Sequence, residues 1–354
     1  MFSQLLKKPI KLGVIFSAFF LLLTACGSEE ATILETPYDQ SEFLMGTYVS
    51  LRIYDEGKAD VLDKAFARVK ELADKVTTND PGSEIDAVNE ASGQEPITLS
   101  ADVFPLVEKA DEYSAVHKYG FDYTIGPVTD LWRIGFDDAR VPELEEIKEV
   151  LPLVDDSKVE LDSEALTVFL TEEGMKIDLG AIAKGYIADE VKKLFIENDV
   201  TTAIIDLGGN VVVMGDSPTR DTGGFNVGVQ DPVDSRGSYV AAINLKNQSI
   251  VTSGVYERYI EQDGEIYHHL MSPETGYPFD NNLASVTIIS EKSIDGDALS
   301  TVAFGFGLEA GLEYVNSLEN VEGVFITKDS DIYTTDGLID NFSLTNEEYT
   351  WINQ

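Results

Sequence analysis

The sequence is poor in the side chains from which most metal and redox centres are built. Its 354 residues include one cysteine and three histidines. One cysteine excludes an intramolecular disulfide and any Cys-rich zinc or iron–sulfur site. Three histidines, with His268 and His269 adjacent, leave little material for a multi-histidine metal centre. Basic charge is scarce too: 25 Lys and Arg stand against 64 Asp and Glu, a formal net charge of −39. Without a basic footprint to neutralise phosphates, the chain is no nucleic-acid binder, and electrostatic docking on anionic lipid is disfavoured. Several catalytic signatures are missing. No G-x-G-x-x-G or P-loop supports nucleotide binding by those devices. No G-x-S-x-G or H-E-x-x-H supports a serine hydrolase or a zinc protease. Long apolar runs are absent as well. The run Leu12–Leu23 is a dozen residues, short of the roughly 20 that span a bilayer.

What is present is an ordinary globular composition, 43% apolar and 25% charged, with enough length for one large domain or two smaller ones. Lys7, Lys8 and Lys11 precede the short apolar run, the layout of a secretory signal peptide. It ends Leu23-Thr24-Ala25-Cys26, a bacterial lipobox with the sole cysteine at the lipidation position. The expected organisation is a signal peptide over 1–25, a lipidated Cys26 and flexible tether over 26–41, and a catalytic domain over 42–354. Two or more acyl chains would anchor the protein stably to the outer face of the cytoplasmic membrane. Cleavage before Cys26 removes three lysines and no acids, so the mature charge is 22 − 64 = −42.

Periodicity predicts a strand over Phe43–Tyr54 and amphipathic helices over Ala59–Val76, Ala101–His117, Pro142–Leu151 and Gly180–Asn198. Short strands are expected over Lys158–Thr171, and a strand–turn–strand over Thr202–Gly215 with Leu207-Gly208-Gly209-Asn210 at its centre. Further strands are expected between Phe225 and Leu270, with Asp263-Gly264 as a hairpin turn, and over Ala284–Ser290. Helices over Ile294–Phe306 and Glu309–Leu318 precede a last strand pair, Val321–Thr335. Irregular alternation with many hairpins implies an α+β fold with mixed, largely antiparallel sheets and packed helices.

Three constellations can carry chemistry. Asp178-Leu179-Gly180-Ala181-Ile182-Ala183-Lys184-Gly185 opens a helix. Asp178 either caps it or belongs to a phosphate-binding helix start with small residues that allow close approach. Asp297, Ser300 and Thr301 fall at i, i+3 and i+4 on one helical face. This all-oxygen set suits a hard cation such as Mg²⁺, or else the hydroxyls bond back to the helix. His268 and His269 point to opposite faces of a strand, so at most one faces a cleft as a general base; the other reading is a bystander histidine.

The order Met45-Gly46-Thr47, Asp80-Pro81-Gly82-Ser83-Glu84, Phe121 to Pro127, Asp178 to Tyr186, Asp206 to Asn210, Ser253-Gly254, Glu257-Arg258, His269 to Gly276 and Asp297 to Thr301 resembles the FAD:protein FMN transferase (ApbE) family. The resemblance runs from Met45 to about Thr335. It implies the T-fold-like architecture of these flavin transferases. It also implies Mg²⁺-dependent transfer of FMN from FAD to a Thr or Ser hydroxyl of a target flavoprotein, through a phosphoester and with release of AMP. By the same resemblance Asp297, Thr301, the Ala181 carbonyl and Ser300 hold the Mg²⁺. Met45, Asn79, Phe121, Asp122, Asp178, Lys184 and Leu270 contact FAD, and His269 deprotonates the acceptor. The acceptor is an extracytoplasmic or membrane flavoprotein.

Two positions depart from the family pattern. Ser272 stands where an Asp is common, as a turn former or a changed polar contact. Asn79 stands where many members carry an aromatic over the flavin, which leaves Trp132 and Tyr256 as substitutes. Two rival functions share these features: a metal-dependent FAD pyrophosphatase that releases FMN and AMP to water, and a non-catalytic FAD- or solute-binding lipoprotein.

Overall fold

Strands that follow one another along the chain pair as antiparallel hairpins. In the computed structural model, which describes residues 32–353 apart from 79, 80, 118, 222 and 236, strands β1 (Ile33–Leu44) and β2 (Thr47–Asp55) come first. They are followed by α1 (Asp60–Val76), α2 (Glu84–Glu90), β3 (Ile97–Thr98), α3 (Phe104–Val116), α4 (Gly126–Trp132), α5 (Leu144–Val150), β4 (Val159–Asp162), β5 (Thr167–Leu170) and α6 (Ala183–Glu197). Then come β6 (Ala203–Leu207), β7 (Asn210–Met214), β8 (Phe225–Gln230), β9 (Tyr239–Leu245), β10 (Ser249–Gly254), β11 (Tyr259–Gln262), β12 (Glu265–His268) and β13 (Leu283–Ser290). The chain closes with α7 (Ser293–Phe306), α8 (Leu308–Asn316), β14 (Glu322–Thr327), β15 (Asp331–Thr334), β16 (Phe342–Leu344) and β17 (Thr350–Trp351).

Nine strands form one sheet in the order β1-β2-β6-β7-β10-β13-β14-β15-β17. Its pairs are antiparallel except β15 with β17, so the architecture is α+β with largely antiparallel sheet. Strand alternation divides the side chains. Val49, Leu51, Ile53, Leu207 and Val212 pack under α1, α3 and α6, while Val213, Ile250, Ile289, Val324 and Ile326 face a three-stranded sheet, β16-β9-β8. Central β13 is covered on both faces and is buried along its whole length, with Ser285, Thr287 and Ser290 included. Among the described residues no helix is long and apolar enough to cross a membrane.

Two expectations need correction. The strand expected over Phe43–Tyr54 is two strands, because Met45 (φ 53°) and Gly46 (φ 70°) both take left-handed backbone and fold the chain into a hairpin. The tether expected over 26–41 overlaps β1: Tyr38 through Ser41 pair residue by residue with β2. Gly126-Pro127 starts α4, since a proline in the first helical turn gives up an N–H that has no partner there. The signal peptide and Cys26 lie outside the described residues.

Candidate active site

Neighbouring strands bring separate motifs to one end of the large sheet. The β1–β2 turn is Met45-Gly46, and the β6–β7 turn is Gly208-Gly209, again with two left-handed residues (φ 66° and 104°). Val49 pairs with Leu207, and Leu207 with Asn210, so the two turns lie side by side. A Cβ on Gly208 would sit 2.1 Å from Thr47 Oγ1, so only glycine fits that contact. Strand β10 extends past Asn210 and delivers Ser253 and Gly254 to the same end.

Over this end lie the first turns of α6 and α7. Their approach depends on Gly185, where a Cβ would lie 2.3 Å from the Ser293 carbonyl oxygen. Asp189 on α6 fixes the pair by accepting the Ser293 and Ile294 amides of α7, each at 2.9 Å. Asp297 on α7, 4% exposed, reaches back to α6. Its Oδ2 accepts the Gly185 N–H at 2.8 Å, and its Oδ1 lies 3.5 Å from Lys184 Nζ. Gly185 is the third residue of α6, where an amide has no partner inside the helix, and the Asp297 carboxylate supplies one. Ala181 lies just ahead of the helix start. Lys184 Nζ donates to Asn210 Oδ1 at 2.8 Å.

The hydroxyls of α7 divide their work. Ser300 Oγ donates to the Asp297 carbonyl at 2.8 Å, which leaves the Ser253 hydroxyl to donate to Ser300 across a further 2.8 Å. Ser300 is thereby a positioning residue more than a free ligand. Thr301 Oγ1, 3.3 Å from Ser253 Oγ, keeps lone pairs for a cation. Asp297 and Thr301 offer oxygen donors of the kind a hard divalent ion takes. Among the described residues no three His, Cys, Asp or Glu side chains gather to hold a metal. An ion here would take its remaining ligands from water and phosphate, as Mg²⁺ does.

The two histidines have separate environments. His268 is buried. Its Nδ1 accepts the Leu270 N–H at 3.3 Å and its Nε2–H donates to the Phe279 carbonyl at 3.1 Å. Burial pulls its pKa down to about 4. His269 is partly open, and its Nδ1 lies 3.2 Å from the Arg258 carbonyl oxygen. Only an N–H can bond there, so Nδ1 carries the proton and Nε2 keeps its lone pair. Desolvation first, then the Arg258 charge, pull the His269 pKa down to about 3, and Lys184 adds to the effect. Arg258 also borders the Met45 turn: a Cβ on Gly46 would lie 3.4 Å from its guanidinium.

Other expected contacts distribute unevenly. Asp178 precedes α6 by several residues and does not cap it. Its carboxylate instead accepts the Gly180 amide and the Thr129 hydroxyl, each at 2.8 Å. It borders a polar cavity of about 100 Å³ shared with Thr78, Asn89, Thr129 and Lys176. Asp122 accepts both the amide and the hydroxyl of Thr124, and burial raises its pKa. Met45 is half-buried at its turn. Phe121 and Leu270 are core residues, 4% and 6% exposed. Trp132, 1% exposed, is pinned by its Nε1–H to the Gly276 carbonyl at 2.8 Å and cannot cover a flavin. Tyr256 lies against Gly254 at the site end of the sheet and remains open to that role. Ser272 accepts the Thr275 amide and forms the turn. Asn79 lies outside the described residues. A larger hollow of about 410 Å³ on β8 and β9 contains none of these side chains.

Sequence reasoning passed over Ser253 and Asn210, which appeared only as members of short motifs. Their roles depend on strand neighbours that no local pattern records.

A model of the ApbE family matches residues 45–325. A FAD:protein FMN transferase of Klebsiella pneumoniae is 40% identical over 83% of this chain and 90% of its own length. One from Treponema pallidum is 31% identical over 86% and 88%. The crystal structure of an ApbE protein from Thermotoga maritima superposes with a TM-score of 0.77 at 28% identity, covering 86% of this chain and 98% of that one.

Proposed function

The chain belongs to the ApbE family and is an enzyme of the FAD:protein FMN transferase kind, and we propose that it moves FMN from FAD onto a Thr or Ser hydroxyl of a flavoprotein. The observation that carries the reading is the link of Asp297 to Gly185 and Lys184 and of Lys184 to Asn210, together with a neutral His269 whose Nδ1–H is held by the Arg258 carbonyl. The acceptor oxygen forms a bond to the FMN phosphorus as the diphosphate P–O bond breaks. AMP leaves with the bridging oxygen of the diphosphate, and His269 Nε2 takes the hydroxyl proton. Lys184 supplies positive charge at the diphosphate. Asp297, Thr301 and the Ala181 carbonyl would hold Mg²⁺, which neutralises phosphoryl charge when bound.

The lipobox supports anchoring through Cys26 on the outer face of the cytoplasmic membrane, where the acceptor would be an extracytoplasmic or membrane flavoprotein. Substitution C26S should move the protein from the membrane to the soluble fraction; unchanged fractionation would contradict the anchor.

Purified protein incubated with FAD, Mg²⁺ and an acceptor should give AMP and an acceptor that stays fluorescent on a denaturing gel. Asp297→Ala should lower the rate about 100-fold or more, and retained activity would remove the metal assignment. Flavin found only as free FMN would favour the pyrophosphatase reading. FAD bound without turnover would favour the binding lipoprotein.

A further inference from the structure

Six aromatic side chains are exposed among the described residues: Phe43, Tyr48, Tyr119, Phe136, Tyr239 and Tyr259. Four of them gather at Arg258, whose carbonyl holds the His269 imidazole. Phe43 and Tyr48 face each other across β1 and β2, with ring centroids 5.4 Å apart in an edge-to-face arrangement. They are 64% and 67% exposed, and each stands two residues, about 7 Å, from the Met45-Gly46 turn that borders the Arg258 guanidinium. Alternation along β2 sends Val49 and Leu51 to the helices and Tyr48 to the opposite face, so the core makes no use of this ring. Phe136 arrives on the loop after α4. A Cβ on the preceding Gly135 would lie 2.9 Å from Arg258 Cδ, and the Phe136 ring lies 4.6 Å from the Arg133 guanidinium carbon. Tyr259 follows Arg258 directly in the chain.

Single exposed rings on a surface need no explanation, but a cluster of them marks an interaction site. Aromatic side chains are also the commonest anchors of protein interfaces. We propose that Phe43, Tyr48, Phe136 and Tyr259 form a docking rim for the acceptor protein, and that they grip apolar side chains flanking its modified Thr or Ser. This deepens the transferase reading and rests on it. Transfer to a protein requires the acceptor hydroxyl to reach His269 Nε2, so the chain that bears it must cover the surface around Arg258. The rim is continuous with that reacting centre. Release of FMN to water would place no such demand on the surface.

The test follows FMN transfer by the full-length enzyme, with FAD and Mg²⁺, to an extracytoplasmic flavoprotein produced without its FMN. Phe43→Thr and Tyr48→Thr remove a ring and keep strand propensity, and Phe136→Ala truncates the loop ring. Tyr239→Thr removes an exposed ring from the separate three-stranded sheet as a control. Each rim variant should raise the KM for the acceptor about tenfold, the effect of truncating an interface anchor. FAD affinity, read from quenching of flavin fluorescence, should stay within twofold of the parent, and the melting point should be unchanged. Tyr239→Thr should leave both affinities as they are. An acceptor KM within twofold of the parent in all three rim variants would overturn the proposal. An equal rise in Tyr239→Thr would do the same, as would a loss of FAD affinity that accounts for the lost transfer. A parent protein that binds FAD and modifies no acceptor would instead overturn the transferase reading beneath it.

Discussion

At the scale of single residues, the adjacent histidines carry opposite assignments that pH separates. His269 has a pKa lowered to about 3 by desolvation and Arg258, so its imidazole stays neutral far below the ordinary histidine range. The acid limb of the transfer rate should therefore fall below about pH 5, not near 6.5, as a pH profile of AMP release would show. His269→Ala should lower the rate about 100-fold or more at all pH values. His268 affects folding. Its pKa falls from 6.5 to about 4 on burial, so between those values the unfolded chain binds more protons than the folded one. Stability should be fullest above pH 6.5 and decline as pH drops toward 4. Urea unfolding across that range checks this, and His268→Gln should flatten the slope. The division was partly legible in the sequence, since successive strand residues face opposite ways. Which of the two was buried depended on Phe279 and Phe304, distant in the chain.

At the scale of elements, the site depends on how closely α6 and α7 approach. Gly185→Ala would drive a methyl group into the Ser293 carbonyl. It should cost about 1–3 kcal/mol of stability and raise the Mg²⁺ concentration needed for half-maximal rate, since Asp297 reads its position from the Gly185 amide. Thermal melting and a Mg²⁺ titration measure the two effects. Helices α1 and α6 were legible from apolar spacing, and the Gly208-Gly209 turn from its glycines. The Met45-Gly46 turn was hidden because methionine rarely takes left-handed backbone. Helix α2 was hidden because its Ser83 cap, which accepts the Asp86 amide at 2.8 Å, follows a proline–glycine pair that reads as a turn.

At the scale of the whole molecule, a chain of net charge −39 must accept an anionic substrate. Long-range repulsion and local attraction by Lys184 oppose each other, and salt weakens the longer-range term first. The FAD association rate should therefore rise between about 10 mM and about 150 mM salt, as stopped-flow fluorescence would show; a steep fall would mean that attraction dominates at distance. The α+β class was legible from hairpins and irregular alternation. The nine-strand order was not, since β10 inserts between β7 and β13 through pairings remote in sequence. The central claim is covalent transfer to protein. Mass spectrometry of a candidate extracytoplasmic flavoprotein incubated with this enzyme, FAD and Mg²⁺ tests it most directly. One FMN should appear on a Thr or Ser for each AMP released; an unmodified acceptor beside free FMN and AMP would contradict the account.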